Sequence, residues 1–139
     1  ATGRKKEAVE SYNKAIGLSP ENAEAYNNLG TIYFDMSRKD EAIACYKKAI
    51  EANPDFSYPY CNLANTYNSL GMSKEAVSEY KKAIAAEPTN TLAHFNLSIV
   101  YFNQNEYEDA LKYYNAARRL GYKIDEGFLK LLESKARGL

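Results

Sequence analysis

Three asparagines, Asn28, Asn62 and Asn96, stand 34 residues apart. A carboxamide carries two N–H donors and an acceptor oxygen, so a row of them can pair with the C=O and N–H groups of an extended peptide backbone. No packing need explains the choice, because Asn is a mediocre helix former. Beside the third lie Phe95, Ile99 and Phe102, a set suited to apolar ligand side chains. Residues for catalysis are not grouped for it. His94 is the sole histidine and has no Asp, Ser or Cys at a useful spacing, so it reads as a core residue. Cys45 and Cys61 form no CxxC and meet no Cys/His pair, which makes them ordinary buried or half-buried thiols of a reducing, cytoplasmic compartment. With no phosphate-binding Gly loop, no supported carboxylate pair and no metal cluster, the expectation is no enzyme, no cofactor and no metal.

The 139 residues are 45% hydrophobic and 26% charged, enough apolar material for a folded core. Eighteen basic side chains balance eighteen acidic ones, leaving no global field to draw in nucleic acid or an acidic membrane. No stretch approaches the roughly 20 apolar residues of a membrane-spanning helix, so no direct membrane insertion is expected. The pairs Lys5-Lys6, Lys47-Lys48 and Lys81-Lys82 have acidic neighbours and read as solvated charge.

The asparagine spacing is the period of the whole chain. Tyr12, Tyr46, Tyr80 and Tyr114 follow it, as do Ala8, Ala42, Ala76 and Ala110, then Ala15, Ala49, Ala83 and Ala117, Leu29, Leu63 and Leu97, Tyr33, Tyr67 and Tyr101, and Pro20, Pro54 and Pro88. Each period predicts a helix A, near 23–36 in the first, and a helix B, near 39–52, both too short to be stable without stacking. Gly30, Ala42 and Ala49 let the helix axes approach, and Tyr33 and Tyr46 fill the space between layers. Asn53-Pro54 and Glu87-Pro88 end each helix B, since Pro pushes the preceding residue out of helical geometry.

Tyr26, Leu29, Gly30, Tyr33, Ala42, Tyr46, Ala49 and Pro54 resemble the pattern of the tetratricopeptide repeat (TPR) family. Departures are few: Ala64 and Ser98 replace the Gly, His94 the first aromatic and Tyr122 the last Pro. The resemblance implies an all-α, right-handed solenoid of antiparallel helix pairs, about seven or eight helices in all. Repeats are expected at 23–56, 57–90 and 91–124. Residues 1–22 would be the second helix of an upstream repeat, as in a segment of a longer array. In 125–139, Asp125 would cap a last helix running to about Arg137, with Phe128, Leu131 and Leu132 at its packing places.

In the TPR family the face of helix A opposite its packing residues lines a concave groove for extended or helical partners. By that register the groove holds Glu24, Asn27, Asn28, Thr31, Phe34 and Asp35 in the first repeat. The second gives Tyr58, Cys61, Asn62, Asn65, Asn68 and Ser69, and the third Leu92, Phe95, Asn96, Ile99, Phe102 and Asn103, extended by Leu129 of the last helix. The groove should be polar at its N-terminal end and apolar at its C-terminal end. Its asparagine row looks like the ladder in the superhelix of the O-linked N-acetylglucosamine transferase. The carboxylate clamp of chaperone-tail-binding TPRs is not matched, because Asn27, Thr31, Asn62, Leu92 and Asn96 stand at its places and no cation is among them. The expected partner is a protein or peptide ligand. The alternatives are self-association as a structural scaffold, as in bacterial organelles such as the magnetosome, or service as the targeting region of a larger enzyme such as a glycosyltransferase.

Overall fold

The computed structural model describes residues 2–138. Of the expected segments 1–22 and 125–139, Ala1 and Leu139 lie outside the described residues. The described residues form helices α1 (Thr2–Leu18), α2 (Ala23–Asp35), α3 (Lys39–Ala52), α4 (Ser57–Ser69), α5 (Ser73–Ala86), α6 (Thr91–Asn103), α7 (Tyr107–Arg119) and α8 (Glu126–Ala136), and no strand. Packing is densest within the pairs α2–α3, α4–α5 and α6–α7, and each helix also meets its neighbours in the chain. The described residues thus form an all-α solenoid of paired helices, as expected. Contacts also run from α2 to α4 and from α4 to α6, which puts these three helices along the inner side of the stack.

The helix ends repeat with the period. Ser37, Gly71 and Asn105 all have positive φ, and the next residue's N–H returns to the carbonyl of Tyr33, Tyr67 or Tyr101. This is the left-handed closure that Gly suits best, so Ser37 (φ 60°) holds it at a steric cost. At the other turns, Asn53 and Glu87 are extended before their prolines, as Pro requires of its predecessor. The side chains of Asn22, Asn90 and Asp125 accept the N–H groups of Ala25, Ala93 and Phe128 at 2.9, 3.0 and 2.8 Å, capping α2, α6 and α8.

Small residues set the pair distance. Ala42, Ala49, Ala76, Ala83, Ala110 and Ala117 are wholly buried, and a Cβ on Gly30 would lie 2.6 Å from the ring of Tyr46. One large cluster runs from Cys61 on α4 to Leu132 on α8, while Ala42, Tyr46 and Leu63 form a second, much smaller one. His94 is buried as expected, its Nε2 3.0 Å from the Pro88 carbonyl, and Tyr113 stacks on Tyr101 beside it with centroids 5.7 Å apart.

Two expectations for the last helix need correction. Leu131 is 42% exposed, whereas Leu129 is buried and Leu132 fully so. Its counterparts Leu29, Leu63 and Leu97 are sandwiched between the helix before and the helix after, but α8 packs chiefly against α7. Leu129 is therefore core, not groove.

Burial also makes stability sensitive to alkali. It pushes the Cys45 thiol up to about 11 and the Cys61 thiol up to about 12, and raises Tyr46 and Tyr80 in the same direction. Each group stays protonated in the fold at a pH where the unfolded chain has released its proton. Their contribution is fully present below the thiols' unfolded value of 9.0 and falls as pH rises through the folded values. Urea midpoints measured from pH 8 to 11 should fall above pH 9, each group adding up to about 1.4 kcal/mol per pH unit. A flat profile to pH 11 contradicts this burial.

Candidate functional site: the inner face of the stack

The inner face is built from α2, α4 and α6, and exposure along it follows register. The second residue of each helix A, Glu24, Tyr58 or Leu92, is exposed, with Tyr58 at 54% and Leu92 at 55%. The asparagine row is half-buried at all three places. Thr31 is exposed and bonds back to the Asn27 carbonyl at 3.1 Å. The residue before each asparagine is different: Asn27 and Cys61 are buried, Phe95 is half-buried, and Leu129 continues the series in the core. Asn27 thus leaves the solvent-facing set, because the flank of helix A at this register packs towards the neighbouring helix A. Phe34 also turns partly inward, against the Ala42, Tyr46 and Leu63 cluster.

Two members of the row are tied across the repeats. Asn62 Nδ2 donates to Asn27 Oδ1 at 2.9 Å, and Asn96 Nδ2 donates to Asn65 Oδ1 at 3.3 Å. The same Asn65 oxygen accepts the hydroxyl of the buried Tyr80. One donor of Asn62 is therefore committed to positioning, which leaves its carboxamide oxygen and a second N–H for a ligand, whereas the Asn96 amide is engaged by both Asn65 and the Tyr80 hydroxyl and offers chiefly its oxygen. Among the described residues no such bond holds the Asn28 side chain.

The apolar end closes into a cleft of about 340 Å³ lined by Phe95, Ile99, Tyr114, Tyr122, Lys123, Asp125 and Phe128. Phe95 stacks on Tyr122 at 4.2 Å, and Phe128 meets Phe102 and Tyr114 edge-on at 5.1 and 5.3 Å. Phe102 therefore helps to dock α8, while Phe95 and Ile99 remain in the cleft wall. The register of helix A does not reveal Tyr114, Tyr122, Lys123 and Phe128 as walls. The visible signal was Tyr122 in place of the periodic proline.

Among the described residues no group of three or more His, Cys, Asp or Glu side chains is placed to hold a metal. No helix among them is long and apolar enough to cross a membrane.

Sequence profiles described as tetratricopeptide repeat match residues 23–56, 45–78 and 68–125, and one described as TPR repeat matches 1–37. A search of the curated proteins gave no match. Among solved structures, a crystal structure of MamA superposes with a TM-score of 0.81 at 23% identity, covering 99% of this chain and 81% of that one. A second MamA structure gives 0.79 at 22% identity, with coverage of 98% and 75%. The first TPR of Spaghetti (RPAP3) bound to the HSP90 peptide SRMEEVD gives 0.76 at 26% identity, with coverage of 83% and 93%. The 34-residue series, the paired helices and these matches lead to one assignment: the chain belongs to the tetratricopeptide repeat family.

Proposed function

We propose that this chain is a protein-interaction module that holds an extended peptide or a helix on its inner face. Asn28, Asn62 and Asn96 would contact the backbone, and the C-terminal cleft would select side chains. The carrying observation is the asparagine row, one repeat apart and half-buried, leading towards an apolar cleft. The peptide-bound TPR of Spaghetti supports a peptide ligand. We read residues 23–56, 57–90 and 91–124 as the full repeats, 1–22 as the second helix of another, and 125–139 as a capping helix. The reading is non-catalytic: the one histidine is committed to a backbone carbonyl, and burial holds both free thiols protonated in what we take to be a reducing compartment.

Replacing all three asparagines by Ala should weaken every groove peptide by a similar factor, each lost hydrogen bond contributing about 0.5–1.5 kcal/mol. Because Asn62 and Asn96 also join repeats, the triple variant should unfold at lower urea, and Asn28→Ala is the clean single test. Titrations at two salt concentrations should differ little, since the charges along the face are few: Glu24, Asp35 with Lys5 beside it, and Lys123 at the cleft. Affinity that ignores the triple change yet collapses with added salt would point to the charged outer helices.

A second reading, self-association, rests on α1, where Val9, Tyr12 and Ile16 are only half-buried and Leu18 is 89% exposed. Polar substitutions at Val9 and Ile16 should then shift a dimer towards monomer in sedimentation over a concentration series. A strict monomer at high micromolar concentration excludes assembly through this edge.

A further inference from the structure

We infer that the C-terminal cleft reads a two-residue code within an extended peptide: a large apolar side chain in the cleft and an acidic side chain two positions away, paired with Lys123. The inference rests on the groove reading and adds the partner's chemistry.

The cleft is preformed. Its floor and walls come from three helices and the connector between α7 and α8, and each wall is held by something other than a ligand. Tyr122 is fixed by stacking on Phe95. The connector is clasped by the Tyr114 hydroxyl, which accepts the Asp125 N–H at 3.0 Å and reaches the Asp125 carbonyl at 3.3 Å. Phe128 is held edge-on by Phe102 and Tyr114. A rigid apolar cleft of this volume suits one large side chain and loses little entropy in taking it.

The rim is charged with one sign to spare. Lys123 is exposed, and no carboxylate lies within 4.0 Å of it among the described residues. Asp125, the other charged residue of the lining, already accepts the Phe128 N–H at 2.8 Å and sits at the N-terminus of α8, where the helix dipole offsets its charge. Glu126 follows it in the first turn of α8, while Arg118 and Arg119 end α7 just before the connector. At the opposite end of the inner face Glu24 is exposed, and Asp35 has Lys5 4.0 Å from its carboxylate. A ligand carboxylate is therefore favoured at Lys123, the cation of the cleft lining. In an extended peptide, residues two apart point the same way and are separated by about 6.6 Å, which places an anchor in the cleft and a carboxylate at its lip.

The test is selection from a library of random nine-residue peptides displayed inside a closed loop, so that no free C-terminus is present. Wild type, Lys123→Glu and the Asn28/Asn62/Asn96 triple Ala variant are the baits, with circular dichroism confirming that each is folded. Wild type should enrich an apolar residue with Asp or Glu two positions away, and Lys123→Glu should keep the apolar anchor while exchanging the acid for Lys or Arg. With a selected peptide made with capped termini, Glu→Gln should weaken binding to wild type about threefold to fivefold and leave binding to Lys123→Gln unchanged. Groove-dependent peptides without the acid, or the same peptides on Lys123→Glu, overturn this inference and leave the groove reading standing. Binding only by peptides with a free C-terminus overturns it in favour of a terminal carboxylate. If no enriched peptide depends on the asparagine row, the groove reading falls as well.

Discussion

Leu97→Ala should lower the unfolding free energy by about 3–5 kcal/mol, the largest loss we expect from a single aliphatic substitution in this chain. Leu97 is fully buried in the cluster shared by α4 to α8. Its neighbours cannot collapse into the space, because Tyr80 and Tyr114 are themselves almost fully buried, and Ala64, Ala76, Ala93 and Ala110 have no further atoms to offer. Domains of this kind keep only about 5–15 kcal/mol in total, so the variant should lose a large share of its stability. Leu63→Ala, at the same place in the preceding repeat but in the smaller cluster, should cost nearer to 2 kcal/mol. Urea denaturation followed by circular dichroism gives both numbers. A loss below half a kcal/mol at either site would mean that the repeat register is wrong.

Leu132→Ala should cost about 2–5 kcal/mol as well, but most of that loss should be local. Leu132 is fully buried and fastens the last helix, and that helix carries the Phe128 wall of the cleft. Amides of α8 and then of α7 should exchange early, while those of α4 and α5 keep their protection. Peptides selected through the cleft should lose affinity by more than Asn28→Ala removes. The comparison is Leu131→Ala one residue away, which at 42% exposure should change stability by no more than about half a kcal/mol. If the two variants behave alike, α8 is not seated as described.

Residue type and spacing made the helix pairs legible, and the resemblance to the TPR pattern supplied their stacking into a solenoid. The Tyr46, Tyr80 and Tyr114 series, the alanines that flank it and the prolines each have one physical role per repeat, so a 34-residue period places every helix. The site was legible in direction but not in depth. A helical arc says which way Asn27 and Leu129 lean, and both lean inward; it does not say that successive inner helices approach closely enough to cover that flank. Nor does it show that Asn62 and Asn96 each commit one donor to a neighbouring repeat, because the partners Asn27 and Asn65 occupy different registers. The cleft depends on the connector after α7, where the period fails at Tyr122 and gives no rule for where a side chain goes.

The two end helices of the stack are each held on one side only, α1 on α2 and α8 chiefly on α7. Under tension between its ends, such a chain comes apart from those helices inward, in short steps. A load on the C-terminal helix would therefore draw the Phe128 wall away from the cleft while Asn28 and Asn62 keep their places on α2 and α4.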